Sequence, residues 1–88
     1  MLEAVAELVA ERIPGRLEIQ GHADRSEGSA GKRLALERAE AVRKALVAQG
    51  VDSARLIVVG YGSQRPLAPP DKGGRKINPR VSFEVLDQ

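Results

Sequence analysis

Apolar residues recur along the first thirteen positions at spacings of three and four. Leu2, Val5, Val9 and Ile13 share one stripe with Leu8 beside it, and Glu3, Glu7, Glu11 and Arg12 fall mainly between them. That is the helical period, and Pro14-Gly15 ends it. Arg16–Gln20 then alternates strictly, which predicts a short strand with Leu17 and Ile19 inward. Residues 21–31 are polar and glycine-rich, the mark of a loop. A second helix is predicted from Lys32 to Gln49. Its buried stripe is Ala35, Ala39, Val42 and Leu46, helped by Leu34 and Ala45, and Gly50 suits the left-handed position that closes it. Arg33–Glu37 and Glu40–Lys44 pair opposite charges one turn apart on its wet side.

After a turn over residues 51–55, Leu56-Ile57-Val58-Val59 is an unbroken apolar run, as expected of a strand buried on both faces. Residues 60–78 contain Pro66, Pro69 and Pro70 among several glycines and predict a long loop. From Arg80 to Leu86 the alternation returns, with Val81, Phe83 and Val85 inward and Arg80, Ser82 and Glu84 outward. The order is helix–strand–helix–strand–loop–strand. A parallel crossover in the middle and helices on one sheet face make this an α/β (α+β) two-layer sandwich, with residues 1–88 as one domain.

Composition narrows the function more than the fold. The 88 residues are 42% hydrophobic with one Tyr and one Phe, so the core is aliphatic. With no cysteine and a single histidine, neither a disulfide nor a metal site is expected. The net charge of +2 is mild and no aromatics accompany the basic residues, which argues against nucleic acid as a partner. No apolar run approaches the roughly 18–20 residues that cross a bilayer, and no signal-like segment leads the chain. Ser26, Ser29, Ser53, Ser63 and Ser82 lack a nucleophile-elbow context, and no helix or Gly-Lys-Ser/Thr follows Gly60-Tyr61-Gly62. No catalytic group and no cofactor site are therefore expected.

What remains is a constellation at the carboxyl end of the first strand. Gly21-His22-Ala23-Asp24 leaves that strand and Arg38 lies on the following helix, where open α/β sheets bind ligands. An Asp can accept from an ammonium and an Arg can fork onto a carboxylate, so the pair would suit a free amino-acid head group. The plainer alternative is that Asp24 caps a turn and Arg38 is solvated or ion-paired.

The ordered set Gly21-His22-Ala23-Asp24, Leu34 through Arg38-Ala39 to Val42, Gly60-Tyr61-Gly62, Gly74-Arg75 and Asn78-Pro79-Arg80-Val81 resembles the C-terminal domain of outer membrane protein A. Peptidoglycan-associated lipoprotein and the flagellar stator protein B carry the same domain, and the likeness spans residues 2–86. The resemblance implies a module of the periplasm or cell envelope that binds peptidoglycan without catalysis and anchors a membrane-tethered parent to the wall. It puts the ammonium of a stem-peptide diaminopimelate on Asp24 and the carboxylate on Arg38. His22, Ala23, Gly31, Leu34 and Arg80 fall at supporting positions, with His22 orienting the loop. Several residues depart from the family pattern. Ala23 stands for a threonine, Ala30-Gly31 for a Tyr-Asn pair and Pro79 for an arginine, so weaker wall binding is expected. The family fold also has a strand before the first helix. Its absence here would leave an open edge that invites a second copy of the chain. The alternative function is a structural or oligomerisation module that kept the fold and lost the ligand.

Overall fold

The computed structural model describes residues 2–11, 15–64 and 78–86. Helix α1 (Leu2–Glu11) is followed by strand β1 (Leu17–His22), a kinked 3-10 segment (Arg25–Ala30) and helix α2 (Gly31–Ala48). A short 3-10 turn (Ser53–Arg55), strand β2 (Leu56–Gly62) and strand β3 (Arg80–Val85) complete the order. The sheet runs β2-β1-β3, with β1 parallel to β2 and antiparallel to β3. The mixed two-layer architecture is thus the one the residue pattern predicts. Arg12–Pro14 and most of the predicted 60–78 loop lie outside the described residues.

Register shows why the helices sit on one face. Leu17, Ile19 and Gly21 of β1 lie in rows with Leu56, Val58 and Gly60 of β2 and with Val85, Phe83 and Val81 of β3. Val9 and Ala6 of α1, Ala39 and Leu46 of α2, and Val51 close over these rows as the core. Removing this aliphatic surface from water is the main force holding the layers together. Helix α2 ends as the sequence predicts. Gly50 takes φ 101°, its N–H bonds Val47 O at 3.0 Å, and the Val51 N–H bonds Leu46 O at 3.1 Å. This is the Schellman arrangement, and the buried Val51 and Leu46 supply its usual apolar contact.

Two strand readings need correction. The apolar run at residues 56–59 is not a doubly buried strand: among the described residues β2 pairs only with β1 and so lies at an edge, it extends to Gly62, and Ile57 through Tyr61 are only half-buried. The central strand is β1, whose alternating pattern suggested one wet face. Its polar positions are buried too, with Gln20 at 7% and His22 at 1% exposure. Burial of these groups is tolerated because Gln20 and His22 both bond to Ser82 on the neighbouring strand. Residues 21 and 22, read as loop, are also strand.

Gly21 has a packing role that decides the site. A Cβ there would lie 1.7 Å from Ala35 O and 2.6 Å from the Ala35 carbonyl carbon. Its row neighbour Gly60 would likewise meet the Leu36 backbone at 3.1 Å. The two glycines form a notch that lets α2 lie directly on the sheet at its carboxyl end.

Candidate functional site

The notch fixes where Arg38 sits. Ala35 and Ala39 face the sheet, so Arg38 stands at the helix flank, and helical side chains lean toward the N-terminus. That direction carries the guanidinium onto the chain leaving β1. Nη1 donates to His22 O at 3.1 Å and to Glu27 Oε1 at 2.9 Å, and Nη2 donates to Glu27 Oε2. Both side chains are partly shielded, 31% exposed for Arg38 and 17% for Glu27.

Glu27 arrives there through a capping box. Asp24 is the N-cap of the 3-10 segment: its Oδ2 accepts from Ser26 N at 2.9 Å, and its own N–H donates to Glu27 Oε1 at 2.9 Å. Reciprocal satisfaction of backbone donors by an Asp-x-x-Glu pair holds both carboxylates in fixed places. Asp24-Arg25-Ser26-Glu27 carries that spacing openly, so Glu27 was legible as a cap. Asp24 Oδ1 accepts from Asn78 Nδ2 at 2.7 Å. A carboxylate only accepts, so the Asn78 amide must turn its NH2 toward it. Asp24 and Asn78 are each 1% exposed. Sequence reasoning gave Asn78 no role, because its partner lies 54 residues away.

The predicted residues divide accordingly. Asp24 and Arg38 converge on one place, but through Glu27, whose Oε1 touches a donor of each. Ala23 is buried and its N–H extends the β1–β2 ladder to Gly62 O at 2.8 Å. Gly31 is buried beside it, so that a Cβ there would meet the Ala23 methyl at 3.5 Å. Leu34 is half-buried at the start of α2. Arg80 donates to Asn78 O at 3.1 Å, and burial draws its pKa down.

His22 belongs to a second polar set on the sheet face opposite the helices. Gln20 Nε2 donates to Glu18 Oε1 at 2.8 Å and to Glu84 Oε2 at 3.3 Å, so its carbonyl must face the other way. That carbonyl takes the Ser82 hydroxyl proton at 3.1 Å. Ser82 Oγ is therefore left to accept from His22 Nε2–H at 2.8 Å. The His22 ring stacks on Tyr61 with centroids 5.7 Å apart, and Tyr61 OH donates to Glu18 at 3.0 Å. The imidazole is clamped, which fixes the backbone carbonyl that Arg38 uses.

Charge follows contact. Hydrogen bonds from Ser26, first its side chain and then its N–H, hold the Asp24 carboxyl below its ordinary 3.8 against the opposing effect of burial, and Asn78 adds to them. Hydrogen bonding by Arg38 holds Glu27 below its ordinary 4.5, again against burial, and Glu27 in return raises Arg38. A carboxyl with a depressed native pKa stabilises the fold above its unfolded pKa and loses that contribution as pH falls through the native one. Urea midpoints should therefore stay level down to about pH 5 and fall progressively below the ordinary carboxyl values of 4.5 and 3.8. Glu27→Gln should flatten part of that slope; an unchanged slope would count against the pairing.

The sequence profile of the OmpA family matches residues 1–80. The chain belongs to the OmpA family. It is 35% identical over 86 residues to outer membrane porin F of Pseudomonas fluorescens, covering 96% of this chain and 26% of that protein. The chain thus spans about a quarter of that relative's length. Among solved structures, the C-terminal domain of Helicobacter pylori MotB superposes with a TM-score of 0.85 at 28% identity, covering 99% of this chain and 70% of that one. The peptidoglycan-associated lipoprotein of Burkholderia pseudomallei gives 0.83 at 30% identity, covering 93% and 71%. These relatives are envelope proteins, and no described helix of this chain is long and apolar enough to cross a membrane.

Proposed function

We propose that this OmpA-family domain binds peptidoglycan non-covalently and anchors its parent protein to the wall in the periplasm. Recognition is of the free amino-acid head of a stem-peptide diaminopimelate, with Arg38 and Asp24 as the two poles. One observation carries the reading. A guanidinium has five N–H donors, and three of those on Arg38 go to His22 O and Glu27. The two left, Nε–H and the second Nη2–H, lie on one edge of the group and have no partner among the described residues. Such an edge is a ready bidentate fork for a carboxylate. Asp24, whose N–H shares Glu27 Oε1 with Arg38, adds a second carboxylate to the same site. The name of the Burkholderia relative points to the same partner.

The test is co-sedimentation with purified sacculi. Free meso-diaminopimelate should release the domain, whereas pimelate, the same chain without its amines, should release it poorly. Failure to sediment with sacculi would end the reading. The enclosure of Asp24 by Ser26 and Asn78 favours a second one, a scaffold that kept the fold without the ligand. In that case the outer edge of β3, which pairs only with β1 among the described residues, would join a second copy, and sizing would show a dimer.

A further inference from the structure

We propose that Glu27 is the residue that meets the ligand's ammonium, so that the head group docks on the Glu27–Arg38 pair and not directly on Asp24. This rests on the wall-binding reading and revises one assignment within it, moving the contact with the ammonium from Asp24 to Glu27. Asp24 has little surface to offer: it is 1% exposed, with Oδ1 on Asn78 and Oδ2 on Ser26. Glu27 is the partly exposed acid. Its Oε1 already accepts from Asp24 N and Arg38 Nη1, while Oε2 accepts only from Arg38 Nη2 among the described residues. An oxygen of a carboxylate can accept twice, so Oε2 keeps one acceptor site.

That site adjoins the free edge of Arg38, because Oε2 and Nη2 are direct hydrogen-bond partners. An α-amino acid carries its ammonium and carboxylate on one carbon, so the two charges are adjacent in the same way. Placing the carboxylate on Nε and Nη2 brings the ammonium beside Oε2. The four groups then form a square of alternating charge, with each contact a charge-assisted hydrogen bond. A carboxylate without an adjacent amine fills only one side of the square. Glu27 would therefore set the preference for a free amino-acid head over a plain acid, with Asp24 acting as a positioning residue through its N–H.

The test is calorimetric titration of wild-type protein and Glu27→Gln with meso-diaminopimelate and with pimelate. Glutamine keeps an oxygen for Asp24 N, and a thermal melt checks the fold. Wild type should favour diaminopimelate, and Glu27→Gln should lower that affinity roughly tenfold or more beyond any loss it causes toward pimelate. The ratio between the two ligands is the readout that a merely structural role would not move. Equal weakening toward both ligands, or an unchanged ratio, overturns the assignment of Glu27 alone. Wild type binding neither ligand overturns the wall-binding reading, and this inference with it.

Discussion

Gly21→Ala should remove a large part of the fold's stability. The added methyl would sit 1.7 Å from a backbone oxygen of α2, a separation that no rotamer change can relieve because both atoms belong to the main chain or its first branch. Either β1 or α2 must move, and both carry the core residues Ile19, Ala39 and Leu46. Overpacking a rigid contact of this kind costs on the order of 4–5 kcal/mol. A chain of 88 residues has only about 4–13 kcal/mol to lose. The expected measurement is a urea midpoint far below that of the wild type. Gly28→Ala is the informative contrast. Gly28 has φ 64° and ψ −144° but open space around its Cβ direction, so the change should cost about 1–3 kcal/mol through backbone strain alone. Equal effects of the two substitutions would show that the notch is not what holds α2 against the sheet.

Arg38→Ala should eliminate binding to sacculi and also weaken the fold. It removes the fork proposed for the ligand, and it leaves the Glu27 carboxylate and His22 O without their donor. Loss of charged hydrogen bonds in a partly shielded site costs about 2–3 kcal/mol, or roughly 30- to 150-fold in affinity. The stability loss should be about 2 kcal/mol, below the value for a fully buried pair because Arg38 is 31% exposed. Arg38→Lys separates the two effects. A lysine restores charge near Glu27 but presents a point donor in place of a planar fork, so it should recover stability more than binding. Full recovery of wall binding by lysine would mean that net charge, and not the bidentate edge, holds the ligand.

The site was half legible in the residues. Asp24 and Arg38 stand out because a charged pair flanks a strand end, and the resemblance gave them roles. Glu27 was hidden in a stretch read only as loop, although its spacing from Asp24 is that of a capping box. Asn78 and the Gln20–Ser82–His22 chain gave no local sign, since each partner comes from a strand distant in sequence.

By itself the sequence determined the order of the described helices and strands, the buried stripe of α2 and the Gly50 termination, because periodicity and cap chemistry act over one or two turns. Only the tertiary structure decided that β1 is central and β2 an edge. An alternating strand can be buried on both faces when its polar residues bond across the sheet, and no pattern within one strand reports that. It also decided that Arg38 grips Glu27 while keeping one edge open. That outcome depends on how closely α2 lies on the sheet, which two glycines from separate strands set together.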